Sequence, residues 1–143
     1  MKKKRGFTLI ELAVVVGITA LMLVMAFPNF QGSKKRSALD DGEALVRRSL
    51  EMSRSRALTG AGGKNQGIRI SANALTVFED TYDSGALATF TLPPGVSTDQ
   101  SDKDIIFKRL SGETGENVSI VISHSDGNSR AVEVRSEGTI TPQ

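Results

Sequence analysis

Glu11 is the residue of this chain whose chemistry most needs an explanation. It is the only charged residue from Phe7 to Phe27, in the run FTLIELAVVVGITALMLVMAF. A carboxylate inside an apolar, membrane-length helix costs a few kcal/mol unless it is paired or reaches the interface. Such a group offers ion pairing at low dielectric, and assembly is the use that this suggests. In front of it stand a basic tetrad (Lys2, Lys3, Lys4, Arg5) and Gly6.

The other residues that could do chemistry are sparse. His124 is the only histidine, flanked by Ser123, Ser125 and Asp126. Neighbours along one strand or turn rarely reach triad geometry, so a polar residue beside a turn is expected. Asp99, Asp102 and Asp104 crowd one loop and are weak candidates for calcium, a hard cation that takes six to eight oxygen ligands. Their spacing is not that of an EF-hand, and no metal is expected there. Glu79, Asp80 and Asp83 are weaker still. Gly60–Gly63 lacks the Lys-Ser/Thr of a phosphate-binding loop. With no cysteine in the chain, disulfides and thiolate metal sites are excluded. Neither an enzyme nor a cofactor is expected.

Charge is unevenly placed. Lys+Arg is 18 and Asp+Glu is 16, a net +2, but four of the cations are residues 2–5. Without them the balance turns to −2. Residues 34–59 carry seven cations against four acids, and residues 60–143 carry seven against eleven. An acidic C-terminal half disfavours nonspecific nucleic-acid binding.

These residues need elements to position them. Phe7 to Phe27 is 21 residues, about 31 Å as a helix and close to the ~30 Å bilayer core. Flanking cations keep the N-terminus cytoplasmic and send the rest outward. A secretory signal ending near Val24-Met25-Ala26 and a plain single-span anchor are two readings. A third rests on Arg5-Gly6-Phe7-Thr8-Leu9-Ile10-Glu11-Leu12, which resembles the leader junction of type IV pilins and type II secretion pseudopilins. The resemblance implies cleavage by prepilin peptidase between Gly6 and Phe7, methylation of the Phe7 amine, and a contact of Glu11 with a neighbouring subunit during assembly. The plainer alternative for Glu11 is a carboxylate reaching up to the headgroups. Pro28 ends the apolar run and predicts a kink or local melt. Gly17 is a weaker spot of the same kind.

From Asn29 to Leu58 the pattern turns amphipathic. Leu39, Val46, Leu50 and Ala57 line one helix face, while Arg36, Asp40, Asp41, Glu43, Arg47, Arg48, Glu51 and Arg54 mostly take the others. Gly32-Ser33 and Gly42 predict a bend, and Thr59–Gly63 a stop. Strands are expected at Gln66–Ser71, Leu75–Glu79, Leu87–Leu92, Ile105–Leu110, Val118–Ser123 and Ala131–Arg135, with a short piece at Thr139–Thr141. Ser125-Asp126-Gly127-Asn128 predicts a hairpin turn, Ser71–Ala74 a weaker one, and Pro93-Pro94-Gly95 a loop reaching about Lys103.

Leu50-x-x-Ser53-Arg54-Ser55-Arg56-Ala57-Leu58 and a glycine-rich turn are similar to the late helix of the GspH/FimT group. Ile105-Ile106-Phe107, Gly112, Val118–Ile122, Arg130–Val134 and Gly138 follow that group's strand-and-glycine order. The resemblance implies an α+β fold: a long N-terminal helix, membrane-spanning in its first half, packed on a small antiparallel β-sandwich. The expected division is a leader (1–6), a transmembrane and assembly helix (7–28), an amphipathic helix (29–60) and a β-rich domain (61–143). The implied role is a minor, tip-proximal subunit of a type II secretion pseudopilus or type IV pilus. Its implied partners are other pilins or pseudopilins, prepilin peptidase and the inner-membrane assembly platform. Its implied location is the bacterial inner membrane, single-pass, with the C-terminal domain periplasmic, then the fibre. The alternative is a FimT-like DNA-binding minor pilin. Here Thr139-Ile140-Thr141-Pro142-Gln143 follows Gly138 with no cation, so nucleic acid is not expected as a partner.

Overall fold

The computed structural model describes residues 8–143, with side chains over 8–24, 34–83 and 85–143. A helix α1, Leu9–Leu58, opens the chain, and Lys35 begins the second of two compact units. The units are described in turn, the second here and the first with the candidate site.

In the second unit the predicted stripe is the buried face of α1. Leu39, Val46, Leu50 and Ala57 are between 0 and 3% exposed. Their spacings of 7, 4 and 7 residues bring them back to one side of a 3.6-residue helix. Burying each of the larger ones stabilises the fold by roughly 1.5–3 kcal/mol. Ser49 and Ser53 are buried beside them, and the Ser53 hydroxyl donates to the Ser49 carbonyl at 3.1 Å.

Two four-stranded antiparallel sheets supply the rest of the core. The first runs β3 (Ala86–Thr91), β2 (Ala74–Glu79), β1 (Gln66–Ser71), β5 (Lys103–Phe107). The second runs β4 (Val96–Thr98), β6 (Val118–His124), β7 (Ser129–Val134), β8 (Ile140–Pro142). Ile68, Ile70, Leu75, Val77, Ile105 and Phe107 from the first sheet join Val96, Ile120, Ile122, Val132 and Val134 from the second. With the α1 stripe they form one cluster. Their period of two places alternate residues inward. This is the expected α+β arrangement of a helix on antiparallel sheets.

α1 is helical throughout, with Gly32, Ser33 and Gly42 inside it. Gly42 is also a packing residue, because a Cβ there would stand 2.9 Å from Val96 Cγ1. Its missing side chain lets β4 lie close against the helix. β4 itself falls inside the stretch expected to be a loop. A short helix, α2 (Tyr82–Gly85), follows β2 where no element was expected. Tyr82 packs edge-on against Phe78, with ring centroids 6.1 Å apart, and the Arg69 guanidinium carbon sits 3.7 Å from the Tyr82 centroid. That contact holds α2 on the outer side of the first sheet, where Phe78 is buried outside the main cluster.

The end of α1 is where the glycine run put it. Gly60 is left-handed (φ 66°), and its N–H donates to the Ala57 carbonyl at 3.0 Å, a helix-end arrangement glycine favours. Leu110 N–H donates to the same carbonyl at 2.8 Å.

Candidate assembly site at the start of the first helix

Thr8 and Glu11 close the start of α1 on each other. The Thr8 N–H donates to Glu11 Oε2 at 2.9 Å and the Thr8 hydroxyl donates to the same oxygen at 3.0 Å. The Glu11 N–H in turn donates to Thr8 Oγ1 at 3.3 Å. Thr8 is the N-cap and Glu11 the third helical residue, which makes this a reciprocal capping box. The box satisfies backbone donors that a helix start otherwise leaves unpaired. Both carboxylate bonds fall on Oε2, so Oε1 accepts none among the described residues.

Behind this cap the helix presents an apolar surface on all sides. Every described residue from Thr8 to Val24 is exposed, from Ile18 at 51% to Leu9 at 87% among the large hydrophobics. Thr19 is the one other polar side chain in the stretch. Its hydroxyl donates back to the Val15 carbonyl at 2.9 Å and the Val16 carbonyl at 3.0 Å. The Thr19 hydroxyl is thus tied up within the helix. Among the described residues no helix is long and apolar enough to cross a membrane, and the side chains described in this stretch stop at Val24. Gly6 and Phe7, the expected cleavage and methylation residues, lie outside the described residues. The backbone of α1 is helical through Pro28, so the helix does not melt there. The Pro28 side chain lies outside the described residues.

Thr8 was not singled out from sequence, yet its signal was readable. Thr8-Leu9-Ile10-Glu11 is the S/T-x-x-E spacing of a capping box before an apolar run.

The remaining candidates are not brought together. Asp104 accepts two hydrogen bonds from Arg69, from Nε and Nη2, each at 2.6 Å. This fork raises the Arg69 pKa further, so the guanidinium stays charged. Asp102 accepts from the Ser71 hydroxyl at 2.5 Å, and Asp99 Oδ1 accepts from the Val121 N–H at 2.9 Å. The three carboxylates therefore serve three different neighbours. No group of three or more metal-ligating His, Cys, Asp or Glu side chains occurs among the described residues.

His124 serves the β6–β7 turn. Its Nδ1 lies 3.3 Å from the Asp126 N–H and 3.0 Å from Asp126 Oδ1. The Asn128 N–H donates to the same carboxylate oxygen at 3.1 Å. That bond is the main cause holding Asp126 below the ordinary carboxylate pKa. Arg130 and Arg135 are engaged as well. Arg130 lies 3.5 Å from Asp40 and 3.7 Å from Glu43 of α1, and Arg135 lies 3.8 Å from Glu133. These cations face acids rather than forming an open basic surface.

Residues 1–27 match the prokaryotic N-terminal methylation motif. A prepilin-type methylation motif thus stands at the N-terminal end of this chain. Two curated relatives share its N-terminal part. Prepilin peptidase-dependent protein D of Escherichia coli K12 is 49% identical over 41 residues, 29% of this chain and 28% of that protein. Prepilin peptidase-dependent protein A of Clostridium perfringens is 45% identical over 53 residues, 35% of this chain and 38% of that protein. The aligned part is thus well under half the length of each relative. The fold likeness covers more. The minor pseudopilin EpsH of the Vibrio cholerae type 2 secretion system aligns with 73% of this chain and 95% of its own, at 18% identity and a TM-score of 0.58. The type IV minor pilin FimU of Pseudomonas aeruginosa PAO1 aligns with 76% of this chain and 91% of its own, at 15% identity and a TM-score of 0.54. At such identities the likeness speaks for the fold.

Proposed function

We propose that this pilin-like chain is a minor structural subunit, taken into a type II secretion pseudopilus or a type IV pilus near its tip. The observation that carries the reading is the start of α1. Among the described residues, a carboxylate is held in place by its own helix, with one oxygen left over, at the head of a run of exposed apolar side chains. Nothing in that arrangement performs a reaction, and it is well suited to making a contact.

In this proposal the precursor sits in the bacterial inner membrane with residues 7–28 as its span, its basic leader cytoplasmic and its β domain periplasmic. Prepilin peptidase cuts between Gly6 and Phe7, and the Phe7 amine is methylated. The Phe7–Thr8 peptide bond survives that cut, so Thr8 keeps its N–H and the capping box persists. Removing residues 1–6 also takes away four cations. The new amine of a neighbouring subunit, displaced along a helical stack, meets Glu11 Oε1. Pro28 bends the helix between its membrane and periplasmic parts. Other pilins or pseudopilins and the inner-membrane assembly platform are the partners, and nucleic acid is not.

Intact-mass measurement on the membrane-extracted protein tests the processing. The expected species lacks residues 1–6 and carries one added methyl group. A full-length chain recovered from a host with active prepilin peptidase would falsify the reading. Glu11→Ala tests assembly: insertion and cleavage are expected to persist while incorporation into sheared fibres falls. Normal incorporation would leave Glu11 as a headgroup-reaching carboxylate.

A further inference from the structure

Leu110 has a left-handed backbone, at φ 67°. The other non-glycine residues with positive φ among those described are Asp80 and Asp102. Aspartate tolerates that region through local hydrogen bonds, whereas a leucine there is strained. Burial does not recover the cost, because the Leu110 side chain is 62% exposed. The residue is nevertheless fixed in place. Its N–H donates to the Ala57 carbonyl, and the N–H of the preceding Arg109 donates to Asn65 Oδ1 at 2.9 Å. Strain that a fold maintains without recovering it locally points to a binding surface.

Leu110 does not stand alone. A Cβ on Gly60 would lie 3.1 Å from Leu110 Cδ2 and 3.6 Å from Arg109 Nε. One on Gly112 would lie 3.0 Å from Leu58 Cδ2 and 3.4 Å from Arg54 Cγ. Each leucine thus lies over the glycine two residues past the other. The result is an apolar pair, with Leu58 also 45% exposed, bordered by two arginines. Among the described residues neither arginine is in an ion pair, and Arg54 Nε is buried with no hydrogen-bond partner. The acids nearest in sequence do not neutralise them. Glu113 is 3.9 Å from Lys108, and Glu137 pairs with no cation among the described residues.

We infer that Leu58 and Leu110, with Arg54 and Arg109, form a surface that docks a different subunit of the same fibre, through an apolar spot rimmed by carboxylates. The inference rests on the fibre reading above. Unpaired guanidinia select an acidic partner over a basic one, and their forked donors fix carboxylates in a set orientation. The two leucines supply the apolar centre that such a contact needs. A twofold contact with a second copy would bring the same arginines towards each other, so like charges oppose it.

Leu110→Asn separates docking from folding, since asparagine accepts the left-handed backbone more readily. The thermal midpoint of the full-length chain in detergent is expected to hold or rise, while its amount in sheared fibres falls about tenfold, as for a buried interface anchor. Arg109→Glu is expected to lower incorporation likewise, and Arg109→Lys to keep most of it. Normal incorporation of Leu110→Asn, or a midpoint that falls with it, overturns the inference alone. Absence of the parent chain from fibres overturns the fibre reading as well. The second measurement is photocross-linking in native membranes, with Leu110 replaced by p-benzoylphenylalanine. The expected adduct is on another pilin-type subunit, at a segment with Asp or Glu beside apolar residues. An adduct on a second copy of this chain, on lipid or on a segment without acids overturns the inference, as does the lack of any adduct.

Discussion

The ring of Phe78 occupies the space that a Cβ on Gly67, its antiparallel partner in β1, would fill. Phe78 stands outside the main core cluster, and this glycine leaves room for its ring, which meets the Tyr82 ring at 87°. Gly67→Ala is therefore expected to lower stability by about 1–3 kcal/mol, the usual cost of overpacking a filled site. Denaturant unfolding of the full chain in detergent, followed by β-sheet circular dichroism, checks it. An unchanged midpoint would mean that the ring moves aside at no cost.

Gly42→Ala poses a different balance. Alanine favours the helix interior by about 1 kcal/mol over glycine. Against that, its methyl would meet Val96 Cγ1 at 2.9 Å, and a short branched side chain has little room to yield. The expected outcome is a net loss, with Gly42→Ala recovered by the double substitution Gly42→Ala/Val96→Ala relative to Val96→Ala alone. A double-mutant cycle measures that coupling.

Removing the Thr8 hydroxyl while keeping its shape separates helix capping from charge. Thr8→Val loses the Oγ1 bonds with Glu11 and retains the Thr8 N–H. Loss of an N-cap costs about 1 kcal/mol. The start of the helix is expected to exchange its amides faster, and incorporation into fibres is expected to fall less than for Glu11→Ala. Equal loss in both variants would place the whole effect on the orientation of the carboxylate.

Asp126 gives the β6–β7 turn a pH dependence. Its pKa is lowered, chiefly by the Asn128 N–H, while burial works the other way. A carboxyl whose folded pKa is depressed stabilises the fold above its unfolded pKa. That contribution fades as pH falls through the lower, folded value. Asp126→Asn is thus expected to destabilise the chain near neutrality and to narrow its gap from the parent as the medium is acidified into the range below pH ~4. Thermal midpoints over a pH series read this directly.

Arg69→Lys keeps the charge and loses the geometry. A lysine cannot reproduce both 2.6 Å bonds to Asp104 or lie flat on Tyr82. A lower thermal midpoint is expected, together with faster exchange of the α2 amides. The latter would not respond if Arg69 acted only through its charge.

Much of the fold was legible because it follows from periodicity. Leu39, Val46, Leu50 and Ala57 repeat at helical spacing, and β1 was readable to its boundaries, Gln66–Ser71. What was missed depends on partners distant in sequence. Val96–Thr98 is too short to show alternation, and it becomes a strand because Ser97 and its neighbours pair with β6. Tyr82–Gly85 has no helical signature and is held by Phe78 and Arg69. Asp104 looked like part of an acidic loop because its partner, Arg69, stands 35 residues away. At the candidate site Glu11 was conspicuous as a charge among apolar residues. Thr8, an ordinary threonine by composition, acquires its role through the turn of helix that carries it back to Glu11.

The helix end has a consequence for the order of events in folding. The Ala57 carbonyl accepts from Leu110, a residue that joins only after β1, β2, β3, β4 and β5 have been laid down in the chain. Contacts so far apart in sequence form slowly, because a long loop must close first. During synthesis, the last turn of α1 is therefore fastened late, by the domain that grows from it. A ribosome-stalled or truncated chain ending before Leu110 would hold the core stripe of the helix but leave its final turn loose.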